Sequence, residues 1–162
     1  MRLYTITPLT KKLANKYLDT LTTLIQQIPK TNYSSKDVLA EEKNGTPLLG
    51  KWEHSFIALD AGKVCGVIVG YVRKAEQNEL YPKDTLYINW LAVASAYQHQ
   101  GIARRLIQRC LATKGTYSVC IQTNIAAWNA RVQNLYTGIG FVKRAEKVYE
   151  NRIDNIYELK TL

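Results

Sequence analysis

Residues 85–108, TLYINWLAVASAYQHQGIARRLIQ, decide the fold of this chain. The segment 87–93 is rich in β-branched and aromatic residues and predicts a buried strand. A short polar turn at 94–97 follows, and residues 98–103 then run into 104–108, which favours a helix. A strand that passes through a small-residue loop into a helix leaves the first backbone N–H groups of that helix without intrahelical partners.

The start of this predicted helix has the chemistry of an anion site, because unpaired amides and the helix dipole both attract negative charge. Gly101 lets the chain approach a ligand without a Cβ atom in the way, Ala103 keeps the first turn slim, and Arg104 adds positive charge. A glycine that only makes the corner would produce the same short motif. The segment contains neither the G-x-G-x-x-G fingerprint nor the Walker G-K-[ST] sequence.

Length and composition indicate a single globular domain covering residues 1–162. The hydrophobic content of 46% and the charged content of 22% are ordinary for such a domain. No apolar run approaches the roughly 18 residues of a membrane-spanning helix. The first residues lack the apolar core of a signal peptide, so we expect a cytoplasmic protein that does not span a membrane.

The net charge of +9 favours anionic ligands or acidic partners and argues against a polycationic acceptor. The positive charges are scattered along the chain, which disfavours nucleic acid as a partner. Cys65, Cys110 and Cys120 lack the spacing of metal ligands and are expected to be reduced core residues. His54 and His99 are far apart in sequence, so no metal site is predicted.

Before the opening segment, the sequence predicts an edge strand at 2–7 and a helix that Thr7 and Pro8 begin, with a buried face through Ile28. A capping box at 34–37 predicts a second helix to about residue 42. The other predicted features upstream are a loop at 48–53, a hairpin of strands 54–59 and 64–73, and a polar loop at 75–84.

After the opening segment, the sequence predicts a strand at 118–123, a helix at 126–137 and strands at 141–149 and 152–159. The full order is β-α-α-β-β-β-α-β-α-β-β. It predicts a mixed sheet with helices on both faces.

A second motif lies at 129–141, NARVQNLYTGIGF. Asn129 and Tyr136 are separated by two helical turns and so share a face, although a helical tyrosine taken alone is usually a core residue. The chain thus combines Q-x-x-G-x-A after a strand with N-x₆-Y-x₃-G-F on the next helix. In these motifs, and in element order over essentially its whole length, it resembles the GNAT superfamily of acetyl-CoA-dependent N-acetyltransferases.

The resemblance implies an α/β (α+β) fold with a mixed, mostly antiparallel, twisted sheet of about seven strands flanked by helices. It implies acetyl-CoA as co-substrate without a metal, a small-molecule or peptide amine as acceptor, and a monomer or homodimer. It also implies that Tyr136 protonates the departing thiolate. The cofactor-binding residues that it implies are Leu91, Ala92, Val93, Gln98, His99, Gln100, Gly101, Ile102, Ala103, Arg104, Asn129 and Tyr136.

The chain departs from the family at Asn89, where many members carry a glutamate that serves as the general base or lies near it. Asparagine cannot accept a proton at neutral pH, so its expected role is to hold a water molecule or orient the amine. This departure, with the net charge, leaves open an alternative function as a non-catalytic acyl-CoA-binding module that contacts an acidic partner. The other candidate bases are Glu79, Asp84, His54, Tyr81 and Tyr87.

Overall fold

The computed structural model describes residues 3–28, 32–77, 83–126 and 129–160. Its helices and strands are, in chain order, β1 (Thr5–Pro8), α1 (Lys11–Lys16), α2 (Leu18–Gln26), α3 (Ser35–Leu39), β2 (Glu42–Lys43), β3 (Thr46–Pro47), α4 (Lys51–His54), β4 (Phe56–Asp60), β5 (Lys63–Arg73), β6 (Thr85–Val93), α5 (Ile102–Leu111), β7 (Ser118–Asn124), α6 (Ala130–Ile139), β8 (Phe141–Val148) and β9 (Ile153–Leu159). Short 3₁₀ turns precede β6 and α5.

Within these ranges, seven strands form one sheet in the order β1-β4-β5-β6-β7-β9-β8. The pair β6–β7 is parallel, and the other neighbouring pairs are antiparallel. Strands β2 and β3 form a separate two-stranded hairpin. The predicted α+β fold with a mixed, mostly antiparallel sheet and flanking helices is therefore confirmed.

The two faces of the sheet pack against different helices. Alternate residues of β5 and β6 supply side chains to each face, as the period of a strand requires. One core cluster lies beneath α5 and α6 and includes Ile68, Ile88, Leu106, Ile107 and Tyr136. A second cluster lies beneath α1 and α2 and includes Leu21, Ile25, Val67, Val69 and Trp90.

The first helix begins later than predicted, because β1 continues through Pro8. A proline is tolerated in an edge strand, where a missing N–H is not required for the ladder. The N-cap is Thr10, whose Oγ1 accepts a hydrogen bond from the Leu13 N–H at 3.1 Å. The predicted single helix is also interrupted at Tyr17, whose ψ of 23° is outside helical geometry and separates α1 from α2.

The capping box is confirmed, since the Ser34 N–H donates to Asp37 Oδ2 at 2.7 Å. Helix α3 ends at Leu39 rather than near residue 42, because Ala40 has a ψ of 135°. The predicted loop at 48–53 contains the short helix α4. Among the described helices, none combines the length and the apolar character needed to cross a bilayer.

Candidate active site

The two central strands β6 and β7 separate from each other halfway along β6. Their parallel pairing covers only Thr85–Ile88 with Ser118–Ile121, whereas β6 stays paired with β5 as far as Val93. A cavity of about 520 Å³ occupies the opening, lined by the second half of β6 on one side and the end of β7 on the other. This separation creates the site.

A β-bulge at Asn89 lies where the strands part. Val69 pairs with Trp90 and Gly70 pairs with Ile88, so Asn89 has no partner opposite it on β5. Ile88 and Leu91 both pack beneath α5 although they are three residues apart, while Trp90 packs on the opposite face. Because a bulge increases the local twist of a strand, this extra residue explains why β6 diverges from β7 there.

The second half of β6 turns backbone groups that are not paired with β7 toward the cavity. The Ala94 N–H donates to the Cys65 carbonyl at 2.9 Å, so the chain here turns the amides of alternate residues toward β5. By the same alternation, Leu91 and Val93 direct their backbone groups away from β5 and into the opening. The Val93 carbonyl accepts a hydrogen bond from Gln98 Nε2 at 3.1 Å. Leu91, Ala92 and Val93 all line the cavity.

The loop after β6 brings the predicted phosphate-binding residues to the same cavity. Gly101 is the N-cap of α5 and has a φ of 82°, a left-handed conformation that glycine adopts readily. His99 is also left-handed, with a φ of 66°. Of the predicted residues from 98 to 104, only Gln100 is not among those that line the cavity. The first amides of α5 therefore open onto the cavity.

Helix α6 supplies the other two predicted side chains. Asn129 is the N-cap residue and is 8% exposed, and its Nδ2 donates to Thr123 Oγ1 at 2.6 Å. Tyr136 is 4% exposed and packs against the rings of Phe141 and Tyr157, yet it lines the cavity. Burial raises the pKa of Tyr136, so its phenol stays protonated at neutral pH.

Two arginines also line the cavity: Arg131, which the motif search did not single out, and Arg104, which it placed beside the loop. Arg131, in the first turn of α6, contacts the His99 ring. Arg104 extends along α6 toward Gly138. Arg131 therefore adds positive charge beside the loop, whereas Arg104 adds it near the C-terminal end of α6. The signal for Arg131 was its place two residues after Asn129, inside the second motif.

A polar wall closes the cavity on the side away from Tyr136, and we define it as Tyr33, Tyr87, Asn89, Gln122 and Asp154. The Tyr87 hydroxyl lies 3.4 Å from Gln122 Oε1, and Gln122 Nε2 donates to Asp154 Oδ2 at 2.7 Å. The Tyr33 ring packs against the buried indole of Trp90. Sequence reasoning missed Asp154, because only the pairing of β9 with β7 brings it near β6.

Of the alternative bases that the sequence suggested, the three that lie among the described residues do not provide one here. His54 is buried against Thr113 and Tyr117, and Asp84 is ion-paired with Lys74, and neither lines the cavity. Tyr87 does line it, but burial raises the pKa of its phenol, which therefore cannot accept a proton at neutral pH. Glu79 and Tyr81 lie outside the described residues.

The fold is shared with solved acetyltransferase structures of low sequence identity. One chain of the NatC complex bound to Gag peptide and CoA matches with a TM-score of 0.79, at 22% identity over 100% of both chains. The ribosomal-protein-S18-alanine N-acetyltransferase from Escherichia coli matches with a TM-score of 0.70, at 17% identity over 97% of this chain and 93% of that one. Arabidopsis thaliana NAA60 in complex with acetyl-CoA matches with a TM-score of 0.72, at 18% identity over 96% and 98%.

No curated protein matches the chain in sequence. The model of the Acetyltransferase (GNAT) family, however, matches residues 18–141, which run from the start of α2 to the start of β8. This range contains the parting of β6 from β7, the loop that leads into α5, and the helix that carries Asn129 and Tyr136. The chain belongs to the Acetyltransferase (GNAT) family.

Proposed function

We propose that this protein is an N-acetyltransferase that moves the acetyl group of acetyl-CoA directly to a primary amine, within a complex that holds both substrates. One observation carries the proposal: the free edge of β6, the N-terminus of α5 and the Tyr136 side chain all line a single cavity. These are an amide-pairing edge, an anion-binding helix end and a proton donor.

The residues around the cavity fit a cofactor that carries a diphosphate and an amide-containing arm. A Cβ atom added at Gly101 would meet nothing within 4 Å, so open space lies directly beside the loop amides. Arg131 adds positive charge beside the loop through its contact with His99, and Arg104 adds a second positive charge to the cavity lining. The arm would pair with Leu91 and Val93 in the manner of an added strand, and Asn129 would hydrogen-bond to it.

Each of the remaining groups has a defined task in this scheme. Bound acetyl-CoA supplies a thioester whose acetyl group is activated toward an amine. The Leu91 N–H would polarise the acetyl carbonyl, an oxyanion-type contribution. Tyr136 holds a proton on its hydroxyl oxygen and donates it to the departing sulfur. Asn89 orients the amine or a water molecule, since its amide cannot accept a proton.

Direct transfer agrees with the state of the cysteines. Cys65, Cys110 and Cys120 are all buried, and none is among the residues that line the cavity. Burial raises the pKa of Cys110 and of Cys120 to about 12, so neither provides a thiolate at neutral pH. An acetyl-cysteine intermediate is therefore not expected.

The acceptor binds, in this proposal, at the polar wall. Both small amines and peptide amines are candidates. Peptides are included because similar structures are described with a Gag peptide and with the bisubstrate analogue CoA-Ac-MVNAL. A screen that measures thiol release from acetyl-CoA with small amines, peptides and aminoglycosides tests the function. Bound acetyl-CoA without thiol release from any acceptor would instead support the non-catalytic module.

The variant Tyr136→Phe tests the assigned proton donor. It keeps the ring packing and removes the hydroxyl, so we expect the single-turnover rate to fall by about 100-fold or more. The dissociation constant of acetyl-CoA, measured by calorimetry, should change by less than about twofold. Tyr157→Phe is the matched control, because Tyr157 packs on Tyr136 and lies outside the cavity. Wild-type speed in Tyr136→Phe, with chemistry rate-limiting, would refute the role.

A further inference from the structure

A single carboxylate is present among the described residues that line the cavity. The charged side chains there are Arg104, Arg131, Arg152 and Asp154. Asp154 is 4% exposed and lies near the start of β9. Gln122 on β7 and Asp154 on β9 are on the face of the sheet opposite α5 and α6. Each lies two residues along its strand from a residue of that face, Cys120 for Gln122 and Ile156 for Asp154, and these two pack together.

The Asp154 carboxylate is fixed in position, but one of its oxygens retains hydrogen-bonding capacity. Gln122 Nε2 donates to Oδ2 at 2.7 Å, and Gln122 is itself held by the hydroxyls of Tyr87 and Tyr149. Oδ1 lies 3.3 Å from Arg152 Nε and has no hydrogen-bond partner of good geometry within the described ranges. A buried carboxylate oxygen in this state is a strong acceptor for a charged donor.

We propose that Asp154 binds the acceptor as an ammonium ion and that the preferred acceptors therefore carry one positive charge. This inference rests on the proposed N-acetyltransferase function and assigns the acceptor class to its polar wall. An ammonium group offers three N–H donors to Oδ1 and to neighbouring neutral acceptors such as Asn89 and Tyr87. The bound ammonium would give one proton to solvent water before its nitrogen forms the C–N bond. As the C–S bond breaks, the thiolate would take the Tyr136 proton, and the second proton lost by the nitrogen would return to Tyr136 through water. A second positive charge on the acceptor would meet three arginines of the cavity and a net charge of +9.

The position of Asp154 distinguishes this role from that of the other polar residues. Asn89 carries no charge, and the Tyr87 phenol stays protonated, so neither attracts a cation by charge. Arg152 balances the carboxylate in the absence of acceptor, and its guanidinium also packs on the Tyr149 ring at 4.4 Å. An incoming ammonium therefore competes with Arg152 for Oδ1.

The test compares the purified wild type with Asp154→Asn, using the acceptor found in the thiol-release screen. We expect the KM for the amine to rise about tenfold or more, while the KM for acetyl-CoA changes by less than about twofold. Glu158→Gln is the matched control, since Glu158 is a partly buried carboxylate on the same strand, paired with Arg144 and outside the cavity. It should leave both KM values unchanged.

A second variant guards against misfolding of Asp154→Asn. Arg152→Gln removes the competing cation and should lower the KM for the amine, an effect opposite in sign. An N-methylammonium analogue of the acceptor, which keeps two N–H donors, should inhibit the wild type better than its neutral methyl ether isostere, and Asp154→Asn should abolish that preference. Spermidine should be a poorer acceptor than a monoamine of similar length.

The outcomes separate this inference from the function on which it rests. Thiol release with an unchanged amine KM in Asp154→Asn, or a rise in that KM in Arg152→Gln, would overturn the ammonium site and leave the acetyltransferase standing. Absence of thiol release with every amine would overturn the function. Calorimetric titration of the CoA-loaded wild type and Asp154→Asn with propylammonium would then decide the site alone, and equal binding would refute it.

Discussion

Lys51 carries a buried ammonium group that caps the C-terminal end of α3. It is 2% exposed, and its Nζ donates to the carbonyls of Asp37, Val38 and Ala40 at 3.2, 3.0 and 2.6 Å. These carbonyls belong to the C-terminal end of α3, where backbone acceptors lack intrahelical partners. The Nζ also lies 5.6 Å from the ring centre of Trp90, beside Asn89. Lys51 therefore links the C-terminal end of α3 to the Trp90 ring of β6.

Lys51→Met should destabilise the protein in a way that depends on pH. Loss of the ammonium group leaves three carbonyls without their donor, and we expect a loss of about 2 kcal/mol in the free energy of unfolding at pH 7. Burial lowers the pKa of Lys51 to about 8 from 10.5. Between these values the unfolded chain binds the proton and the folded protein does not, so the contribution of this group rises with pH.

The measurement is urea unfolding of wild type and Lys51→Met at several pH values. The difference in unfolding free energy should grow by roughly 2 kcal/mol between about pH 8 and pH 9.5. A difference that stays constant or shrinks over this interval would show that the folded amine does not release its proton there.

At the residue scale, sequence predicted those groups whose motif is local. Gly101, Asn129 and Tyr136, which all line the cavity, could be singled out because a few neighbouring positions define each motif. Asp154 and the true environment of His54 were not accessible in this way. Strand pairing brings Asp154 to the cavity, and packing of α4 against Thr113 at the end of α5 removes His54 from it.

At the scale of elements, Gly101→Ala should weaken acetyl-CoA binding beyond its effect on stability. The added Cβ meets nothing in the protein, so the folding cost is that of left-handed backbone, about 1–2 kcal/mol. The same Cβ would occupy the space beside the loop amides that would contact the diphosphate. We therefore expect the dissociation constant of acetyl-CoA to rise about tenfold or more.

Gly62→Ala is the matched control for this prediction. Gly62 lies in the β4–β5 hairpin with a φ of 80°, close to the 82° of Gly101, and open space also surrounds it. Thermal unfolding should show similar losses of stability in both variants, while calorimetry should show wild-type acetyl-CoA affinity in Gly62→Ala. Equal affinity in both variants would place the diphosphate away from the loop.

The order of the main elements was predictable because hydrophobic periodicity and turn residues are local signals. The start of the first helix was not, because Pro8 favours either a first helical turn or an edge strand, and pairing of Pro8 with Phe56 decides between them. The helix α4 was also missed. Its four residues are too few for a period, and burial of Lys51 and His54 stabilises it.

At the scale of the whole molecule, the excess of positive charge should make acetyl-CoA binding sensitive to salt. The net charge is +9, and Arg104 and Arg131 line the cavity. We expect the dissociation constant to rise several-fold between about 50 mM and about 300 mM sodium chloride, since salt screens these charges.

Arg131→Gln should weaken binding at low salt and reduce its dependence on salt. Arg144→Gln removes the same charge from β8, where it pairs with Glu158 away from the cavity, and should leave both quantities close to those of the wild type. A salt dependence in Arg131→Gln that equals that of wild type would show that the local arginine contributes nothing beyond the overall field.

The extra residue in β6 separates the demands of folding from those of catalysis. The faces taken by Ile88, Trp90 and Leu91 would be the same in a strand without Asn89, so the core does not require it. Such a strand would be straighter and would continue pairing with β7 beyond Ile121. The added pairing would close the gap that the cavity occupies. A chain without Asn89 would thus be more stable but would lack the cavity. The bulge keeps β6 and β7 apart at a cost in sheet pairing.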